Sequence, residues 1–216
     1  MSYAQQSGLY TWFDDQVGYE NLEIYNGIQF INTYKPINNK HRFFETDSFV
    51  KGKISYNNQS YEVNLRYDLY EDQLIILADT RTNSNEILLI KELVEHFEIS
   101  SSHFIHLKGE NKGINSGFYE VIYNNGSITL LKKHSKQLKQ DIENRKVYYE
   151  FKAEKAEYFC VTEDEMFQIK NKKDIISRFP KFKRELSRFK IKARRLEANE
   201  TQLKYAIESL GKLITN

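Results

Sequence analysis

The chain of 216 residues contains one cysteine, two prolines and no long apolar run. A single cysteine excludes an internal disulfide framework and every zinc or iron–sulfur site built from several thiolates. No stretch approaches the ~18 consecutive apolar residues that a membrane-spanning helix needs. The sequence also lacks a glycine-rich phosphate loop, a Gly-x-Ser-x-Gly elbow and a His-Glu-x-x-His pair. With them go the common signatures of nucleotide binding, serine hydrolysis and zinc proteolysis. Charge of one sign is missing too: 32 Lys and Arg against 30 Asp and Glu leave a net of only +2.

Aromatic residues are plentiful, with 15 Tyr and 14 Phe making up most of a 14% aromatic content. A disordered chain is poor in such residues. A chain of this length buries roughly 70% of its unfolded surface, enough for a substantial core. At about 150 residues per domain, one or two domains are expected.

The near-neutral total conceals an asymmetry. Residues 1–130 carry 10 basic and 17 acidic side chains, a net of −7, and residues 131–216 carry 22 and 13, a net of +9. Residues 170–195 alone hold 12 basic and 2 acidic residues.

Ser2-Tyr3-Ala4 fits the small-x-Ala pattern before a signal-peptidase cut, which places the cut before Gln5. That reading makes the protein exported to the periplasm. Because position 5 is Gln and not Cys, it is soluble rather than a lipoprotein. The alternative is an ordinary cytosolic start. Cys160 lies in the apolar run Tyr158-Phe159-Cys160-Val161 and reads as a small buried hydrophobe.

The fold class expected is α+β: a curled or barrel-like antiparallel sheet over residues 20–170, then a basic amphipathic helical segment over 171–216. Residues 1–19 read as an N-terminal extension. Strand candidates fall at 27–31, 49–56, 61–67, 74–77, 86–90, 94–99, 103–107, 118–123, 127–131, 147–151, 157–161 and 166–170. Residues 61–67 alternate apolar and polar, the period of a half-buried strand. Asn124-Asn125-Gly126 is the clearest hairpin signal, and Asn57-Asn58 reads as a second turn. Many short strands in sequence favour antiparallel pairing, and closure would remove exposed edges.

From residue 172 the apolar period changes. Ile175, Phe179, Phe182, Leu186, Phe189, Ala193, Leu196, Leu203, Ile207, Leu210 and Ile214 recur at spacings of four and three, interrupted only by Glu200. This is a helical stripe. Pro180 ends one short helix and begins the next. Asn199 with Gln202 reads as a cap for the last helix.

Around that stripe lies the most specific feature, a cationic face. Lys181, Arg184, Arg188, Lys192 and Arg195 fall on the side away from Phe182, Leu186 and Phe189. Such a face attracts an acidic protein surface, an anionic membrane surface or nucleic acid. Export disfavours nucleic acid. The competing reading docks the same face on the acidic front half of the chain.

Other constellations carry less. His103 and His106 are three apart and point to opposite faces of a strand, so they do not chelate one ion. His96 and His106 meet only across paired strands, with Glu95 or Glu98 near; otherwise the histidines are scattered through a sheet. Asp14-Asp15, Glu71-Asp72 and Glu163-Asp164-Glu165 sit in polar segments and read as solvated turns. No catalytic residue, metal site or cofactor is therefore expected.

Several short segments occur in a characteristic order: Tyr25-Asn-Gly27, Asn39-Lys-His-Arg-Phe-Phe44, Tyr67-Asp-Leu-Tyr-Glu-Asp72, Ser116-Gly-Phe-Tyr-Glu-Val121, Leu131-Lys-Lys-His134, Val147-Tyr-Tyr-Glu-Phe151, and Lys170-Asn-Lys-Lys-Asp-Ile-Ile176 before Phe179-Pro180. Over residues 20–190 the chain thereby resembles a family of exported hypothetical proteins of Bacteroidota-type bacteria. The resemblance implies a cleaved signal peptide and no known activity. The expectation is a non-catalytic periplasmic protein, a subunit or adaptor of an outer-membrane-associated complex. A carrier of an apolar or lipid-like ligand in a curled sheet is the second reading, and an enzyme of unknown class the third.

Overall fold

The computed structural model describes residues 23–34, 36–37, 39–79, 84–109, 115–143, 146–188 and 197–214. Its strands are β1 (Ile28–Gln29), β2 (Val50–Tyr56), β3 (Gln59–Asp68), β4 (Gln73–Asp79), β5 (Ser84–Leu88), β6 (Val94–Ile99), β7 (Ser102–Leu107), β8 (Gly117–Asn124), β9 (Ile128–Lys133), β10 (Lys136–Glu143), β11 (Lys146–Ala153), β12 (Glu157–Thr162) and β13 (Met166–Ile169). Three helices follow: α1 (Lys172–Arg178), α2 (Lys183–Arg188) and α3 (Glu197–Ile214). The fold is α+β and antiparallel, as expected. None of these helices is long and apolar enough to cross a membrane.

The chain divides into two compact units. Unit 1 takes residues 1–101 and 136–152, and unit 2 takes 102–135 and 153–216. The strands are thus shared between both units, and all three helices belong to the second.

In unit 1 the strand order is β1-β5-β4-β3-β2-β6, with β10 and β11 as a separate two-stranded sheet. The β2–β3 hairpin turns at Asn57 (φ 48°) and Asn58 (φ 63°). Two left-handed residues make the turn whose twist matches its flanking strands, and Asn tolerates that conformation well. Ile54 lies opposite both Tyr61 and Phe97, and Leu65 opposite Ile76. These side chains are buried and form one layer of the core. Leu74, Ile75 and Ile76 are all buried, so β4 is covered on both faces, as its unbroken apolar run implies.

In unit 2 the order is β7-β8-β9-β12-β13. The β8–β9 hairpin turns at the expected Asn124-Asn125-Gly126. Gly126 takes φ +89°, Asn124 Oδ1 accepts from Gly126 N at 2.8 Å, and Asn125 Oδ1 accepts from Ile128 N at 3.0 Å. Alternation then sends Ile128, Leu130, Tyr158, Cys160 and Ile169 into one core with Ile175, Leu186, Leu203, Ala206, Ile207 and Leu210 of the helices. Burying a side chain the size of Leu or Ile contributes roughly 1.5–3 kcal/mol, so the apolar stripe is what holds α3. Burial pushes the Cys160 thiol up to about 12, which leaves it inert.

The helix boundaries follow local chemistry. Asn171 caps α1 by accepting from Lys173 N at 2.8 Å, while Asp174 Oδ2 accepts from Asn171 N at 3.0 Å. Helix α1 stops at Phe179, and Pro180 opens a single tight turn that leads into α2. Asn199, expected as the cap of the last helix, lies inside α3 instead, and its Nδ2 donates to Lys170 O at 3.2 Å.

One expectation is corrected: the sheet does not close into a barrel. Among the described residues β1 pairs only with β5 and β13 only with β12. Closure needs terminal strands that pair along their length, and β1 offers two residues and β13 four. A strand absent from the sequence reading is β10. Its segment Lys136-Gln-Leu-Lys-Gln-Asp-Ile-Glu143 has almost no apolar face, and Ile142 is 73% exposed.

Candidate functional site

The expected cationic face is described only in part. Lys181, Lys183 and Arg184 are exposed, while Leu186 of α2 is fully buried. Arg188 ends α2. Lys192 and Arg195 lie outside the described residues, as do Phe189, Ala193 and Leu196 of the stripe, and the Ser2-Tyr3-Ala4 segment with Gln5. One cation of the run is engaged within unit 2. Arg178 donates from Nε to Glu165 Oε1 at 2.7 Å and from Nη2 to Glu165 Oε2, and its guanidinium lies 5.1 Å from the Phe167 ring centroid. That fork fixes the end of α1 to the turn between β12 and β13.

A second polar cluster in unit 2 escaped the sequence reading. Glu120 on β8 and Tyr158 on β12 both lie opposite Lys132 on β9, so the three share one face of the sheet in a single row. Helix α3 brings Glu200 to that row. Tyr158 donates its hydroxyl to Glu200 Oε2 at 2.8 Å, and Lys132 Nζ lies 2.7 Å from the same oxygen and 3.9 Å from Glu120 Oε2. Glu120 is held from its other side by Ser102, whose Oγ donates at 2.6 Å, and by His134 Nε2 at 2.6 Å.

The electrostatics follow from these contacts. Burial raises the Glu120 pKa, but hydrogen bonds from His134 and Ser102, with the charges of His134 and Lys132, outweigh it and hold the carboxyl below its usual range. Burial, then the neighbouring Glu200, pushes the Tyr158 phenol well up, so it stays a donor. Every acid in the row is occupied by a neighbour within the unit. The arrangement latches α3 to the sheet at the one place where its apolar stripe is broken. That break, Glu200, was the only trace of the cluster in the sequence.

Unit 1 buries its own charges. Asp68 is fully buried and pairs with Arg42, while its Oδ1 accepts from Tyr70 N at 2.9 Å and Glu71 N at 3.3 Å. The Arg42 guanidinium is ringed by Phe30, Tyr34, Tyr70 and Phe151, with centroids 5.3–5.9 Å away. Arg66 lies between Phe43 (4.2 Å) and Phe49 (4.0 Å) and donates to Glu86 Oε2 at 2.6 Å and Asp47 O at 2.9 Å. Lys136 donates to the carbonyls of His41 and Phe43 at 2.8 and 2.7 Å, and burial lowers its pKa. These cations hold the irregular stretch around residues 41–49 on the sheet, filled on all sides by the protein's own groups.

The remaining acids and histidines separate. Glu95 accepts from Ser55 Oγ and, at 2.9 Å, from Asn58 N. His106 packs on Phe118 at 5.1 Å, with Ser116 Oγ at 3.5 Å. Among the described residues no group of three or more His, Cys, Asp and Glu side chains is placed to hold a metal ion. Comparison with protein-family models, with curated proteins and with solved structures found no match.

Proposed function

We propose that the protein is a non-catalytic interaction protein of the cell envelope that docks on an acidic protein surface through the exposed cations of α2 and of the turn that leads into it. The observation that carries this reading is the exposure of Lys181, Lys183 and Arg184 beside the fully buried Leu186. The other charge clusters described above are neutralised within their own units, so they offer a partner little. A patch of one sign steers an oppositely charged surface and fixes its orientation more than it adds affinity. The periplasmic setting and the role as subunit or adaptor of an outer-membrane-associated complex rest on the Ser2-Tyr3-Ala4 segment and on the resemblance of residues 20–190 to exported proteins. The reading as an apolar-ligand carrier draws less support, because Leu203, Ile207 and Leu210 of α3 fill the helix-facing side of the unit 2 sheet.

The test uses three defined polyanions: poly-glutamate, phosphatidylglycerol vesicles and duplex DNA. Poly-glutamate should bind, and binding should weaken as salt rises from about 0.1 M to about 1 M and the screening length contracts from about 10 Å to about 3 Å. Lys181→Glu with Arg184→Glu should abolish it without lowering Tm. Undiminished binding in the double reversal, or preference for vesicles or DNA, would overturn the proposal.

A further inference from the structure

A groove of about 450 Å³ crosses one face of the unit 1 sheet. The strand registers explain its shape. Leu77, Asn64 and Lys51 are successive cross-strand neighbours on β4, β3 and β2 and form one wall. Glu62, Lys53 and Glu98 are successive neighbours on β3, β2 and β6 and form the other. Between the rows run Gly52 and Val63, whose side-chain positions point to the opposite face, so the floor is backbone. Two residues along a strand separate the walls by about 7 Å, and each wall spans two inter-strand spacings, about 10 Å. Tyr25 and Ser100 complete the lining.

The geometry points to a binding site for a short, neutral oligosaccharide in this groove. Its charged lining consists of Lys51, Lys53, Glu62 and Glu98, two of each sign, so neither an anion nor a cation is favoured. Along one wall the Glu62 and Glu98 carboxylates flank the Lys53 ammonium, and the other sets the Asn64 amide and the Lys51 ammonium beside Leu77. A sugar hydroxyl both donates and accepts, and so matches each of these polar side chains, while the apolar face of a sugar ring suits Leu77. Lys53 and Glu62 approach to 3.5 Å but are 61% and 80% exposed, a pairing weak enough for a ligand to displace. Tyr25 adds an aromatic side chain to a lining otherwise dominated by polar groups. An extended peptide fits less well. It binds through a free strand edge, and β2 and β3 lie inside the sheet with both edges already paired. The volume falls in the ordinary range for small-ligand sites.

Saturation-transfer NMR on the full chain tests the site with maltotriose, cellotriose and triacetylchitotriose as probes and hexaglycine as control. At least one trisaccharide should show transfer, with Kd on the order of 1 mM, and Asn64→Ala and Lys51→Ala should each weaken it about tenfold at unchanged Tm. Lys181→Glu with Arg184→Glu, in unit 2, should leave it unaltered, which separates this site from the cationic face. Absence of transfer from all three sugars at about 10 mM, binding undiminished from the unsubstituted chain in both alanine variants, or stronger transfer from hexaglycine would overturn the assignment.

Discussion

Glu200 is the residue whose replacement tests the architecture of unit 2 most directly. Its carboxylate accepts from Tyr158 and pairs with Lys132 at 2.7 Å, with side-chain exposures of 32% for Glu200 and 18% for Lys132. Glu200→Ala deprives two donors of their acceptor. A hydrogen bond to a charged group contributes about 1.5–3 kcal/mol, and a buried donor left unpaired costs about 1–3 kcal/mol. Two effects reduce the sum. Lys132 has Glu120 within 3.9 Å as a second partner, and solvent reaches part of the site. The expected cost is therefore about 2 kcal/mol, or about 4–8 °C in Tm for a chain of this size. Glu200→Gln keeps an acceptor for Tyr158 and should cost about half as much.

The decisive assay is a double-mutant cycle with Tyr158→Phe, which removes one hydroxyl. If the Tyr158–Glu200 bond latches α3, the two changes should couple by about 1 kcal/mol, and amide exchange should accelerate in α3 before the sheet opens. Additive effects, or exchange in α3 that is unchanged in Glu200→Ala, would refute the latch. The apolar stripe would then be the sole restraint on the helix.

Three further outcomes follow from the same geometry. Because the folded Glu120 carboxyl lies below its ordinary value of 4.5, it contributes stability that is present above that pH and lost as acid protonates it. Glu120→Gln should therefore flatten the fall in Tm below about pH 4.5, and an unchanged acid limb would refute the assignment. In unit 1, Arg42→Met strands the buried Asp68 and should cost about 3–5 kcal/mol in urea unfolding. Adding Asp68→Asn should restore part of that loss, whereas a further loss would mean the pair is not the main restraint. A Cβ at Gly52 would meet the Glu98 carbonyl oxygen at 2.2 Å and Leu65 Cδ2 at 2.5 Å. Gly52→Ala should thus force β2 from β6 and lower stability by about 1–3 kcal/mol, and a neutral Tm would show that the strands separate easily.

What was readable in the sequence and what was not divide by the range of the cause. Asn57-Asn58, Asn124-Asn125-Gly126 and Pro180 act on their own backbone, so the turns and the helix break appear where the residues stand. The stripe from Ile175 to Leu210 is local too, because a helix repeats its contacts every few residues. Strand β10 lacks that signature: its position follows from pairing with β11, and pairing leaves no mark on a polar segment such as Lys136-Gln-Leu-Lys-Gln-Asp. The latch is further from view. Ser102, Glu120, Lys132, Tyr158 and Glu200 span nearly a hundred positions, and only the registers of β8, β9 and β12 place the middle three in one row. The groove obeys the same logic, since its two walls each draw on three strands. Both candidate clusters of polar chemistry are therefore products of register, and a one-residue slip in β3 or β9 would turn the side chains that strand contributes to the opposite face. The bulge between Val121 and Tyr123 makes this concrete, because the β8–β9 register shifts there and the latch residue Glu120 stands immediately before the shift. Deleting Ile122, the residue the bulge adds, should straighten β8 and keep Glu120 opposite Lys132, whereas deleting Val121 with it should bring Glu120 opposite Leu131 on the other face, with the Asn124-Asn125-Gly126 turn chemistry intact. The loss of the latch would then appear as faster exchange in α3, a helix that the deletion never touches.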